Sequence, residues 1–315
     1  MDDDATDCMR ILGRVPTDQY EHPRESARGH QNDTRQTRKM GSAKEIDMVE
    51  TIDVPTGFGP IHFVGRDIGA PVILLITGAF ANVNQMDRLQ DRFPAADVLR
   101  AHLPGNHCPP LMDASISMFA NAFTEALDVR FAGRPVILVG LSIGALVAFA
   151  IRSTLVRAIL AVEPPLVMAE AWPLESLPQQ AAPGNEAFLW NVIGLGRETM
   201  EPRDYRALVP RISVPTHVLL GDPPPPRGPF RETLPGLVGP LGRAALRANP
   251  LITIEDLPGV GHHVVRYAAP ELLAAIQRTA ELAFGPVVAR MTLPKGVTLP
   301  DRLSAPGPGP RRAPG

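Results

Sequence analysis

Apolar residues in this chain follow two periods in alternation, and that alternation predicts its architecture. Aliphatic runs at 72–76, 98–103, 136–141, 156–162, 214–222 and 251–254 are short and rich in β-branched residues, as strands buried in a parallel sheet must be. Between them lie stretches of helical composition at about 86–93, 113–131, 143–152, 231–247 and 270–284. Asp113 stands where a cap belongs, and Pro270 sits where a helix tolerates proline, in its first turn. Two further β-like runs, 46–54 and 61–64, flank Thr56-Gly57-Phe58-Gly59-Pro60 and predict a hairpin on a sheet edge. Strands that alternate with helices require right-handed crossovers. The predicted class is α/β: a mostly parallel sheet of about eight strands with helices on both faces. Residues 166–210 break the rhythm with mixed helix and loop signals and both tryptophans, Trp172 and Trp190, as an insertion covering a site would.

The stretch 135–151 organises the rest. Its first part is an uncharged aliphatic strand, and from Ile143 onward Ala, Leu and Phe take over, so strand, tight turn and helix meet at Ser142. The pattern Gly140-Leu141-Ser142-Ile143-Gly144 is Gly-x-Ser-x-Gly, in which flanking glycines let strand and helix approach while the turn pushes the hydroxyl out of the sheet. The plainer alternative is a small residue in a glycine-rich turn.

Composition narrows the classes. The net charge of −2, without a basic stripe, supplies no footprint for nucleic acid or an anionic membrane. Two cysteines, Cys8 and Cys108, are too few for a disulfide framework and fit a reducing, cytoplasmic setting. Asp2, Asp3 and Asp4 stand where a secretory leader would be basic, and the longest apolar run is interrupted by Gly140, Ser142 and Gly144, so neither a leader nor a membrane span is expected. Residues 1–45 are polar and predict a disordered tail, within which Met40 offers a second translation start. The folded domain is expected over 46–285, and residues 286–315 read as a flexible Pro/Gly-rich tail. No metal-ligand spacing and no dinucleotide loop is present, so no metal or cofactor is expected.

The landmarks, in order, resemble the α/β-hydrolase superfamily over about residues 46–285. They are Thr77-Gly78, where relatives usually have His-Gly; Leu103-Pro104-Gly105-Asn106-His107; the turn at Ser142; Val162-Glu163-Pro164-Pro165; Val214-Pro215-Thr216 running into Gly221; and Pro258-Gly259-Val260-Gly261-His262. The resemblance implies a serine nucleophile, Ser142, with His262 as its base and His263 as the rival. It implies backbone amides of Ile143 and Ala79 as the oxyanion hole. The orienting acid is ambiguous. The family's usual position, three residues beyond Gly221, holds Pro224 of a tetraproline, which leaves Asp222, directly after Gly221, and Glu163, after the strand that follows Ser142.

These assignments lead to a cytoplasmic serine hydrolase acting on a small-molecule ester or thioester through an acyl-enzyme. The alternatives are acyl transfer by the same triad and a non-catalytic binding member of the fold, the latter motivated by the tetraproline and Thr77. Phe80, Trp172, Trp190, Met112, Met118 and Met168 are candidates for an acyl pocket, and Cys108 reads as a buried small residue. Oligomeric state, acyl chain and alcohol are not encoded in any pattern of the chain.

Overall fold

The computed structural model describes residues 50–294 except Gln85, Ser176, 181–183 and 225–233, together with Leu12, Val297 and Leu299. Eight strands form one sheet: β1 (Glu50–Val54), β2 (Ile61–Gly65), β3 (Val72–Ile76), β4 (Asp97–Ala101), β5 (Val136–Leu141), β6 (Val156–Val162), β7 (Thr216–Leu220) and β8 (Ile252–Asp256). Their order is β1-β2-β4-β3-β5-β6-β7-β8. The hairpin pairs antiparallel and joins β4 antiparallel, and from β4 to β8 every pairing is parallel.

Five helices cover the two faces: α1 (Leu89–Arg92), α2 (Ile116–Arg130), α3 (Ile143–Ala150), α4 (Pro240–Arg247) and α5 (Ala269–Phe284). Each central strand is buried along its whole length, because alternate side chains feed opposite cores. Leu74 and Leu138 pack with Phe119, Phe123 and Phe149 of α2 and α3, while Ile73 and Ile137 pack with Leu272 and Ile276 of α5. The chain leaves β3 for β4 on one side and returns to β5 on the other. A reversal of that kind opens a crevice beyond the carboxyl ends of the strands.

Register brings particular residues to that edge. Ile76 pairs with Gly140, Leu141 with Val162, and Val162 with Leu219, so Thr77, Ser142, Glu163 and the turn after β7 follow the tips of adjacent strands.

Local details differ from the sequence expectations. Ser115, not Asp113, caps α2: it is extended and its side chain accepts from the Met118 N–H at 3.2 Å. Asp113 instead accepts from the Asn191 amide of the insertion at 3.1 Å. The helix expected over 231–247 is confined to Pro240–Arg247, since proline can start a helix but not continue one; residues 231–233 lie outside the described residues. The tail expected over 1–45 lies outside them too, apart from Leu12, which is fully buried and whose carbonyl accepts from the Arg88 N–H at 3.1 Å. Beyond Gly285, Ala289 is fully buried and the Thr292 N–H donates to the Arg92 carbonyl at 2.9 Å, so ordered packing continues past the last helix. No helix among the described residues is long and apolar enough to cross a membrane.

The insertion between β6 and β7 is built from short turns, Leu177–Gln180, Glu186–Phe188, Leu189–Ile193 and Arg206–Arg211, tied by bridges Val167 to Asp204 and Leu195 to Met200. The Tyr205 hydroxyl donates to the Val192 carbonyl at 2.7 Å, and burial pushes its pKa up to about 12. Ultraviolet titration is therefore expected to show one tyrosinate forming only near pH 12, and Tyr205→Phe to remove that step.

Candidate active site

The turn at Ser142 explains itself from its neighbours. Ser142 has φ 51° and ψ −118°, a conformation that L-residues hold only when packing on both sides imposes it. A Cβ on Gly140 would come within 2.5 Å of the Ala145 Cα, and one on Gly144 within 2.5 Å of the Thr77 carbonyl oxygen. Strand, helix and the end of β3 are thus in backbone contact. Gly144→Ala is expected to cost about 1–3 kcal/mol, read as a lowered midpoint in denaturant melts.

Ser142 begins α3 without a side-chain bond to that helix, and it is half-buried rather than sealed. The first N–H groups of a helix have no intrahelical carbonyl, so the Ile143 N–H is without one and the positive end of α3 falls in the space around Ser142. Gly78 borders the same space, for a Cβ there would lie 3.3 Å from the Ser142 Cβ. Ala79 follows it, in a turn closed by the Ala81 N–H on the Gly78 carbonyl at 3.3 Å.

Two histidines hold this turn. His107 Nε2 lies 3.1 Å from the Phe80 carbonyl and His102 Nδ1 lies 3.3 Å from the Ala81 carbonyl. A carbonyl only accepts, so each of those ring nitrogens carries its proton. Burial lowers the pKa of His102, which favours its neutral form. Thr77, where relatives usually carry histidine, is fully buried, and its hydroxyl donates to the Ala101 carbonyl at 3.2 Å. The bracing of the loop therefore comes from β4 and the segment after it.

The carboxylate beside His262 is that of Glu163. Its Oε2 lies 3.4 Å from His262 Nδ1 and accepts from the Leu237 N–H at 2.8 Å, while Oε1 accepts from the Gly221 N–H at 2.7 Å. Only 1% of the Glu163 side chain is exposed, so two main-chain donors and an imidazole stand in for water around its charge. Its position follows from register, because Ser142 N–H donates to the Val162 carbonyl at 2.8 Å and Glu163 N–H to that of Leu219 at 2.9 Å.

Asp222, the first of the two expected acids, is placed elsewhere. It is exposed, its carboxylate accepts from the Gly259 N–H at 2.9 Å, and its own N–H donates to the Val260 carbonyl at 2.7 Å. The physical reason is the turn at Gly221, which directs the chain toward the Pro258-Gly259 loop. His263 stands with its ring 5.9 Å from that of His262 and opens the helical turn Val264–Tyr267. No hydrogen bond joins the Ser142 hydroxyl to His262 among the described residues.

The segment 234–238, expected as part of a helix over 231–247, is not helical, and it holds both partners. It accepts from the His262 N–H through the Leu234 carbonyl at 2.9 Å, and donates to Glu163 through the Leu237 N–H at 2.8 Å. Gly236 is the residue that fits there, because a Cβ would meet the Asp222 carbonyl.

Aromatic rings join the insertion to the turn after β3 and to α2. The Phe188 ring of the insertion lies 5.2 Å from that of Phe80 and 6.2 Å from that of Phe119. Of the other pocket candidates, Met112 is 82% exposed, Met168 is buried in the core, Met118 packs half-buried against that core, and Trp190 lies under the Arg203 guanidinium at 5.4 Å. Trp172 is half-buried and opens the short turn Trp172–Leu174. Cys108 is half-buried, and burial raises its thiol pKa, so it remains a thiol. No cluster of three metal-ligating side chains occurs among the described residues.

Strand order, the turn at Ser142 and the helices on both faces define the α/β-hydrolase fold. Comparison with solved structures agrees. A naproxen esterase (carboxylesterase NP) from Bacillus subtilis superposes with a TM-score of 0.52 at 16% identity, over 74% of this chain and 92% of its own. A thermophilic esterase from Thermogutta terrifontis gives 0.51 at 16%, over 73% and 97%. A bromoperoxidase from Bacillus anthracis gives 0.50 at 15%, over 74% and 100%. No protein-family model matches the sequence, and no significant match is found among curated proteins. Esterases and a peroxidase share this one fold, so the reaction must be argued from the site.

Proposed function

We propose that the chain is a serine hydrolase of carboxylic esters or thioesters. The observation that carries this reading is the buried Glu163 carboxylate 3.4 Å from His262 Nδ1, at the strand tip next to Ser142. A neutral His262 that donates from Nδ1 to Glu163 keeps Nε2 as an acceptor for the hydroxyl proton. Ser142 Oγ then attacks the acyl carbon as that proton passes to Nε2, and the N–H groups of Ile143 and Ala79 receive the oxyanion. Collapse breaks the bond to the alcohol or thiol, which takes the proton from His262. Water repeats the sequence on the acyl-enzyme, regenerating Ser142 and releasing the acid.

The pair also supports turnover over a binding-only role, since the carboxylate that the tetraproline displaces from the usual position is supplied by Glu163. The esterase names among the structural neighbours point the same way. Purified protein is expected to hydrolyse p-nitrophenyl esters or acyl thioesters with an initial burst of one equivalent of product. Folded protein that turns over neither short-chain nor long-chain members of either series would overturn the reading.

A further inference from the structure

Arg243, in the first turn of α4, lies outside the site yet is almost fully buried, at 6% exposure. A buried guanidinium needs partners for its donors, and the three it finds lie on three different segments. Nε donates to the Val238 carbonyl at 2.9 Å, Nη2 to the Gly221 carbonyl at 2.5 Å, and Nη1 to the Asp256 carboxylate. Gly221 donates to Glu163 Oε1; Val238 follows Leu237, which donates to Glu163 Oε2; Asp256 ends β8 and begins the loop that carries His262.

We infer that Arg243 is a positioning residue for the Glu163–His262 pair, tying both main-chain donors of the acid and the base of the histidine loop to one planar group. The inference rests on the serine hydrolase reading for its kinetic consequence, but not for its structural one. Arginine is required by shape as well as charge. Its rigid fork reaches three acceptors in diverging directions, whereas a lysine ammonium is a single point at the end of a flexible stem. The sequence carried no sign of this role, because Arg243 looks like any cation on a helix until the chain has folded.

The test uses the full chain as wild type, Arg243→Met, Arg243→Lys and Asp256→Asn. It follows kcat and KM of ester hydrolysis, thermal melting, and amide hydrogen exchange at Gly221 and Leu237. Arg243→Met and Arg243→Lys are both expected to lose roughly 10–100-fold in kcat with KM little changed, as the loss of an orienting contact predicts. Asp256→Asn gives a smaller loss in the same direction. In all three variants the Gly221 and Leu237 amides exchange faster than global melting explains.

Unchanged exchange at both amides, or a wild-type kcat in folded Arg243→Lys and Asp256→Asn, would overturn the inference. If Arg243→Met fails to fold, those two variants carry the decision. Wild-type protein without ester hydrolysis would sink the serine hydrolase reading instead, and the exchange arm would still decide whether Arg243 holds the acid's donors.

Discussion

On the serine hydrolase reading, Ser142→Ala is expected to abolish labelling by a fluorophosphonate probe and to lower kcat/KM by roughly 10⁴–10⁶-fold, as loss of a nucleophile that works as a unit with its base does. What survives comes from binding and the oxyanion donors alone. The fold should tolerate the change. Ser142 makes no side-chain bond to its helix, and alanine keeps the Cβ that already fits at φ 51°. Melting temperature and labelling stoichiometry measured together separate lost chemistry from lost structure. Undiminished labelling of a folded Ser142→Ala protein would place the reactive group elsewhere.

Glu163→Gln against Asp222→Asn is the second large contrast. The glutamine is expected to lower kcat by roughly 10³–10⁴-fold, as when a triad acid is neutralised and the histidine loses its orienting charge. It also carries a structural cost. Both Glu163 oxygens accept main-chain N–H groups, and the amide end of glutamine presents donors to one of them, at a cost of about 1–3 kcal/mol. Asp222→Asn should stay within about threefold of wild type, because an exposed carboxylate bonded to Gly259 N–H lies away from the imidazole. Steady-state rates at matched fractions folded distinguish the two. A large loss in Asp222→Asn with little in Glu163→Gln would reverse the assignment of the acid.

The contrast also shows where the chain was legible. Six strands followed from short aliphatic runs, the edge hairpin from two β-like runs around residues 56–60, and the turn at Ser142 from glycines two residues either side of it, because these are local patterns set by sterics within a few residues. Loop ends were less legible. Asp113 and Ser115 are equally plausible caps on composition, and the choice went to Ser115 because the insertion engages Asp113 through Asn191. The braces on the Phe80 turn were invisible for the same reason: His102 and His107 find their carbonyls only when β3 and β4 lie side by side.

By itself, then, the order of residues determined the layered α/β architecture and a hydroxyl raised on a tight turn, since both depend on spacings shorter than a helix. Which carboxylate meets His262 was decided by tertiary structure alone. Glu163 and His262 are 99 positions apart, and the two join only because parallel register sets the tip of β6 beside that of β7 while the segment 234–238 and Arg243 close around them. A main-chain N–H or a guanidinium looks the same wherever it occurs in a sequence, and only folding gives it a direction.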